Sequence, residues 1–183
     1  MYRIDAGDGI VLDEPAEDDA AGLFDLIDAN RVELARWMPW LGQMRSIDDG
    51  LRYIRFSLDG NRDGRFLNLL VRVDGAIAGV LCFFSIEPTM RRCEIGYWLG
   101  KDWQGRGIMT RACRALVGHG FSRLNLYRIQ LACADDNRRS RAVAERLGFT
   151  FEGILRGREW IGERVLDHAV YGLLLPQWRA AGA

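Results

Sequence analysis

The hydrophobic and polar positions along the chain predict an alternation of helices and strands. Apolar residues recur every three to four positions in residues 18–29 and again after Ser46, which starts a capping box. From Phe66 the pattern becomes that of strands, and Asp74-Gly75 is a hairpin turn signal. We expect strands at residues 10–12, 66–73, 76–86, 93–99, 128–134, 149–158 and 165–175, and helices at 18–29, from 46 to the polar turn at 60–64, 107–121 and 137–147.

This order of elements, β-α-α-β-β-β-α-β-α-β-β, favours one mixed α/β domain. Helices interrupt a mostly antiparallel set of strands, and no repeat, low-complexity segment or linker divides the chain. A chain of 183 residues is long enough to bury a sizeable core as a single unit. We therefore expect a single domain over residues 1–183.

Charge and cysteine usage exclude several classes of function. The 25 basic and 25 acidic residues cancel, which is unlike the basic footprint of a nucleic-acid-binding protein. The four cysteines stand far apart, which disfavours a zinc or redox pair and suggests buried thiols in a reduced, cytoplasmic protein. The longest apolar run, Gly75 to Ile86, is too short for a membrane helix. Neither His119 nor His168 lies near a nucleophile at a recognisable spacing, so a triad hydrolase is disfavoured.

The segment from Gly96 to Thr110, GYWLGKDWQGRGIMT, is the strongest chemical signal. An apolar strand ends in a polar loop with Gly105 and Gly107, and a helical pattern follows at once. Free N–H groups at a helix start, with the helix dipole behind them, form a site for phosphate. A dinucleotide-binding βαβ fingerprint is disfavoured, because the third glycine and the acidic residue about 20 positions later are both missing.

Two segments, in the right order, resemble the GNAT-type N-acetyltransferases. Gln104 to Met109 is similar to the pyrophosphate loop of that family, Q/R-x-x-G-x-G/A, departing only at its last position. Asn137 to Ser140, followed by Leu147 to Phe149, is similar to the family's N-x-x-S/A…G-F helix. The resemblance extends over residues 10–175 and is to the RimJ/RimL group of ribosomal-protein N-terminal acetyltransferases in particular.

The resemblance implies a GNAT fold with acetyl-CoA as cosubstrate and no metal. The expected α/β (α+β) sheet is mixed, mostly antiparallel, splayed between the fourth and fifth strands (93–99 and 128–134) and flanked by about four helices. The backbone of Trp98 and Leu99 would continue the pantetheine as an added strand, and Asn137 would hydrogen-bond the pantetheine arm. The implied cofactor-binding residues are Trp98, Leu99, Gln104, Gly105, Arg106, Gly107, Ile108, Met109, Thr110 and Asn137.

The same resemblance implies the catalytic roles. Glu94, on the strand that enters the phosphate loop, would be the general base for the amine. Many GNAT enzymes carry a general-acid tyrosine where this chain has Ala144, so the hydroxyl of Ser140 would protonate the thiolate instead. Trp37 and Trp40 would line the groove for the acceptor.

Each of these roles has a structural alternative. Glu94 would be a strand-end carboxylate paired with Arg91 or Arg92, and Ser140 would point its hydroxyl to solvent. The two tryptophans would pack as core, and the asparagine would only cap its helix.

The expected function is transfer of an acetyl group from acetyl-CoA to a primary amine, in the first place a protein N-terminal α-amine. Two alternatives stay open: acetylation of a small-molecule amine such as an antibiotic or a polyamine, and a CoA-binding regulator without turnover. Neither direct contact with nucleic acid nor membrane insertion is expected. A homodimer is left open.

Overall fold

A computed structural model describes residues 2–182 and contains one eight-stranded sheet flanked by helices. The strands are β1 (Arg3–Asp5), β2 (Ile10–Asp13), β3 (Leu67–Val73), β4 (Ala76–Glu87), β5 (Arg92–Leu99), β6 (Arg128–Ala134), β7 (Thr150–Ile161) and β8 (Arg164–Leu174). The α-helices are α1 (Ala20–Ala29), α2 (Arg31–Leu34), α3 (Ile47–Arg62), α4 (Ile108–Ser122), α5 (Arg138–Arg146) and α6 (Leu175–Ala180). Short 3-10 turns lie at Glu17–Asp19, Pro39–Gln43 and Lys101–Trp103.

The sheet order is β1-β2-β3-β4-β5-β6-β8-β7, and β5 with β6 is its one parallel pair among the described residues. This confirms the predicted mixed, mostly antiparallel α/β fold. Three short elements were not predicted: β1, α2 and α6. They have three, four and six residues, too few to show a hydrophobic period. The single domain over residues 1–183 stays a prediction, and its two terminal residues lie outside the described part.

β5 and β6 separate along half of their length. Their pairing runs from Arg92 opposite Arg128 to Ile95 opposite Leu131, although β5 continues to Leu99. The outer edges of both strands stay paired throughout, β5 with β4 and β6 with β8. The predicted splay between these two strands is therefore confirmed, and it leaves backbone groups of both strands facing a gap.

The sheet has a hydrophobic core on each face. Cys93, Ile95 and Leu99 of β5 pack into the core that contains α4, α5 and α6. Trp98, from the alternate side of the strand, packs into a second core with α1 and α3. This alternation is the one expected from the sequence, and it sends neighbouring residues of β5 to opposite sides of the gap.

Local signals explain where the helices near the gap begin and end. Ser46 accepts a hydrogen bond from Asp49 N at 3.2 Å and starts α3 as the predicted cap. Asn137 accepts one from Ser140 N at 3.2 Å and starts α5. Gly148 has φ +80° directly after the end of α5, a conformation that favours glycine. The chain thus leaves α5 sharply and returns as β7.

Candidate active site

A cleft of about 2110 Å³ opens where β5 and β6 part. It connects the loop before α4 and the first turn of α5 with the segment between α1 and α3. Ordinary small-molecule sites occupy roughly 300–1,000 Å³, so this cleft has room for two reactants side by side. Cationic side chains of α5 line one end of it: Arg138, Arg139 and Arg146.

The loop before α4 presents main-chain N–H groups to this cleft. Gly105 and Gly107 have φ +74° and +72°, and Gly107 is the residue that precedes the first turn of α4. Both glycines are exposed, and a β-carbon at Gly107 would lie 3.4 Å from the guanidinium of Arg111. The N–H groups of a first helical turn have no carbonyl partner within the helix, so they are available to an anion.

Side chains of the loop brace it. Ile108 and Met109 are buried in the core below α4, at 3% and 7% exposure. Met109, the departure from the family motif, therefore packs in the core while it also borders the cleft. Gln104 donates to Leu99 O at 3.0 Å and accepts from Arg139 at 2.5 Å, which ties the loop to both β5 and α5. The guanidinium of Arg106 lies over the ring of Trp103 at 5.4 Å.

At the start of α5, Asn137 and Ser140 both line the cleft. The Ser140 hydroxyl lies 2.9 Å from the phenol oxygen of Tyr97, so it has a partner within the protein and does not depend on solvent alone. Asn137 combines the helix-cap role with a place in the cleft wall. Ala144 is fully buried, and its position carries no polar group toward the gap.

Glu94 lies half-buried on the face of β5 that also carries Trp98, and it is not among the residues that line the cleft. The alternative pairing with a neighbouring arginine is also wrong. Arg91 bonds Asn125, and Arg92 bonds Glu87.

A carboxylate that sequence reasoning missed does line the cleft. Glu159 Oε2 lies 3.2 Å from His168 Nε2, and both side chains are lining residues, 31% and 14% exposed. His168 lies on β8 opposite Ala134, the last residue of β6. The expected strand ended at residue 158, whereas β7 continues through Glu159 to Ile161. Register shifts between β7 and β8 bring Glu159 toward His168, and no local pattern encodes them.

The far arm of the cleft is aromatic. Trp37 and Trp40 line it, half-buried, and Trp40 stacks nearly parallel to Tyr53 with ring centroids 6.4 Å apart. Arg36 lies over the ring of Trp37 at 5.4 Å. Trp40 also packs partly against the core on the α1 and α3 side, so it belongs both to the cleft lining and to the edge of that core.

Burial suppresses the acidity of the thiols near the cleft. It raises the pKa of Cys82 to about 12, and it also raises the pKa of Cys133, while the hydroxyl of Ser140 works in the opposite direction on Cys133. All four cysteines are free. Three of the thiols are buried, and Cys82 is half-buried. The expectation of buried thiols therefore holds for three of the four.

We expect native protein to resist alkylation by iodoacetamide at pH 8. With a pKa of about 12, Cys82 has a thiolate fraction of about 10⁻⁴ at that pH. Mass spectrometry of the intact chain should show little label, and four labels after unfolding in urea. One rapidly labelled cysteine in the folded chain would contradict the raised pKa values.

Sequence similarity to known proteins identifies the family of this chain. The family model described as Acetyltransferase (GNAT) domain matches residues 10–150. The chain belongs to the GNAT acetyltransferase family. A relative in Bacillus subtilis (strain 168), the putative ribosomal N-acetyltransferase YdaF, is 34% identical over 87% of this chain and 88% of its own. The resemblance to GNAT enzymes is thereby confirmed.

Two solved structures of acetyltransferases are similar over most of the chain. RimL, a ribosomal L7/L12 alpha-N-protein acetyltransferase in complex with coenzyme A, has a TM-score of 0.91 at 28% identity, covering 94% of this chain and 98% of its own. The microcin C7 self-immunity acetyltransferase MccE, in complex with acetyl-CoA and AMP, has a TM-score of 0.89 at 33% identity, covering 93% and 94%.

Two further findings concern the described residues alone. No helix within residues 2–182 combines the length and apolar character needed to cross a bilayer. No cluster of three or more histidine, cysteine, aspartate or glutamate residues in that range is arranged to hold a metal ion.

Proposed function

We propose that this acetyltransferase moves the acetyl group of acetyl-CoA to the α-amine at the N-terminus of a protein. The observation that carries the proposal is one cleft that runs from the glycine loop before α4 to an aromatic arm. The similarity to RimL and YdaF supports the choice of a protein acceptor. Both reactants would be bound together, and the amine would attack the thioester directly.

The cofactor would follow the gap between the strands. The diphosphate would bind the N–H groups of residues 106–110, with Gln104, Gly105 and Gly107 shaping the loop. The pantetheine would lie against the unpaired edge of β5, bonded by backbone groups of Trp98 and Leu99, with Asn137 on its other side. This path would bring the thioester to the first turn of α5, within reach of Ser140.

The acceptor must lose a proton before it attacks. Glu94 is the base that the family resemblance implies. Glu159 is one of four carboxylates that line the cleft, and the other three, Asp28, Glu33 and Asp49, each pair with an arginine. The cleft position favours Glu159, whose bond to His168 orients the carboxylate. The amine would reach it along the arm formed by Trp37 and Trp40.

Energetics favour an α-amine over a lysine side chain. An α-amine with a pKa near 8 is about one-tenth neutral at pH 7, so deprotonation costs ~1.4 kcal/mol. For a lysine with a pKa of about 10.4 the same step costs more than ~4 kcal/mol. A carboxylate without a strongly perturbed environment therefore suffices for the first acceptor and falls short for the second.

A small-molecule amine is the second candidate acceptor. The large volume of the cleft and the similarity to MccE, solved with acetyl-CoA and AMP, support it. A CoA-binding regulator without turnover would need no binding site for an amine. The aromatic arm lined by Trp37 and Trp40 therefore supports an enzyme.

A matched panel of acceptors tests the proposal. We expect a peptide with a free N-terminus and no lysine to be acetylated with kcat/KM at least about 10-fold above the same peptide with a blocked N-terminus and one lysine, because of the difference in deprotonation free energy. Thiol release and the mass of the product give the rate and the modified position. Spermidine and an aminoglycoside serve as small amines.

Faster turnover of the lysine peptide or of a small amine would contradict a protein N-terminus as acceptor. CoA binding without release of thiol from acetyl-CoA, for any amine in the panel, would favour the regulator.

A further inference from the structure

Tyr97 reaches Ser140 across the gap between the strands. It lies in the part of β5 that has no pairing to β6, and its phenol oxygen is 2.9 Å from Ser140 Oγ and 3.2 Å from Ser140 O. The ring packs against the core below α4 and α5, and the residue lines the cleft. The phenol therefore approaches Ser140 from strand β5, whereas the serine itself belongs to helix α5.

The two hydroxyls have two ways to share their protons. In one, Tyr97 donates to Ser140 Oγ, and the serine proton is free to point into the cleft, toward the Cys133 sulfur or toward a bound ligand. In the other, Ser140 donates to the phenol oxygen while the phenol donates to Ser140 O, and no serine proton is left for a ligand. An electron-rich sulfur beside Ser140 favours the first arrangement, because only that one offers it a donor.

We propose that Tyr97 is a positioning residue that turns the Ser140 hydroxyl toward the thioester sulfur and stabilises the serine oxygen as its proton leaves. The proposal rests on the proposed function and deepens it. Ala144, one turn further along α5, is fully buried and has no hydroxyl for the task.

The proton balance of the step is complete. The amine nitrogen forms a bond to the acetyl carbonyl carbon, the C–S bond breaks, and its electron pair stays on sulfur. The sulfur takes the proton of Ser140, while Tyr97 keeps its own proton and holds the serine oxygen by its hydrogen bond. Water returns a proton to the serine, and the protons lost by the amine leave through the base to solvent.

The surroundings of the phenol suit a permanent donor. Burial, with Cys113 and Cys133 nearby, raises the pKa of Tyr97 well above its ordinary value of 10, against smaller opposing effects of Ser140 and Arg146. Tyr97 therefore stays protonated through the range in which an enzyme is assayed, and it has no tendency to replace Ser140 as the acid.

A double-mutant cycle tests the pair. We expect Tyr97→Phe to lower kcat about 10-fold with KM for acetyl-CoA within about 2-fold, because the lost hydrogen bond acts in the transition state. Ser140→Ala should lower kcat by a similar or larger factor, and the double variant should be no slower than Ser140→Ala. Tyr127→Phe, which removes a phenol from a residue that does not line the cleft, is the matched control and should leave kcat unchanged.

Two further measurements exclude a merely structural role, and the second of them needs no acceptor. Introducing 3-fluorotyrosine at position 97 keeps the donor and should retain the wild-type kcat, while melting temperatures of all variants stay close together. The thiolate absorbance of bound CoA gives the pKa of its thiol, which should be lower on the wild type than on Tyr97→Phe or Ser140→Ala by at least about half a unit.

An unchanged kcat and an unchanged thiol pKa in Tyr97→Phe would overturn the inference. So would losses that multiply in the double variant, because they would mean that the two hydroxyls act independently. Absence of turnover in the wild type with every amine would instead count against the proposed function, and the thiol pKa would still decide the role of Tyr97.

Discussion

Replacement of Gly107 by glutamate is expected to weaken the binding of CoA at least about 100-fold while the chain stays folded. The new side chain would place a carboxylate at the N-terminus of α4, where the diphosphate is proposed to bind. Two unit charges about 5 Å apart repel by roughly 3 kcal/mol at an effective dielectric constant of 20, which corresponds to a factor of about 100. The left-handed backbone, with φ +72°, adds about 1 kcal/mol of strain for any side chain.

Calorimetric titration with CoA measures the effect, and Gly75→Glu is the matched control. Gly75 also has positive φ, at +86°, and its β-carbon would meet open space at the β3–β4 hairpin, away from the cleft. The control should lose similar stability and bind CoA as the wild type does. Gly107→Ala separates strain from charge and should cost less than about 10-fold. Undiminished binding by Gly107→Glu would mean that the cofactor lies elsewhere.

Glu159→Gln is expected to lower kcat with an α-amine peptide about 30-fold at pH 7. Without a base, the enzyme depends on the fraction of the amine substrate that is already neutral in solution. No carboxylate is then available to take the second proton, which the amine nitrogen must lose after it attacks the thioester. The loss should shrink as pH rises toward 9, because more of the α-amine is then already neutral. A pH–rate profile of wild type and variant, at saturating acetyl-CoA, measures both the loss and its trend.

Glu94→Gln is the matched control for this prediction. It makes the same change of a carboxylate to an amide, on a residue outside the cleft lining, and should stay within about 3-fold of wild type. A larger loss for Glu94→Gln than for Glu159→Gln would assign the base to Glu94, as the family resemblance implies.

The phosphate loop and the caps of α3 and α5 could be predicted because their signals are local. Gly107 and the helix that it starts lie within a few residues of each other, and one turn of chain decides their geometry. The two-residue turn at Asp74 and Gly75 is equally local, with both residues at positive φ. The family resemblance then supplied the position of the splay, which no spacing along the chain encodes.

The catalytic neighbourhood of Ser140 depends on distant parts of the chain and could not be predicted in the same way. Tyr97 is 43 residues away and reaches it only because β5 and α5 converge at the gap. Glu159 and His168 meet through irregular pairing in a hairpin whose register is set by packing. The sequence pointed to Glu94 as the base. Strand alternation places a residue on one face of β5, but it does not show which residues of the strand line the cleft.

The gap between β5 and β6 has a consequence for control of the reaction. Apart from Ser140 at the sulfur, the contacts proposed along it hold the diphosphate and the pantetheine, which are the same before and after acetyl transfer. Free CoA must then compete with acetyl-CoA for one binding site. The reaction rate would therefore depend on the ratio of the two concentrations more than on either concentration alone. Occupancy by either form would also complete the interrupted sheet edge and raise the melting temperature in proportion to the logarithm of its concentration.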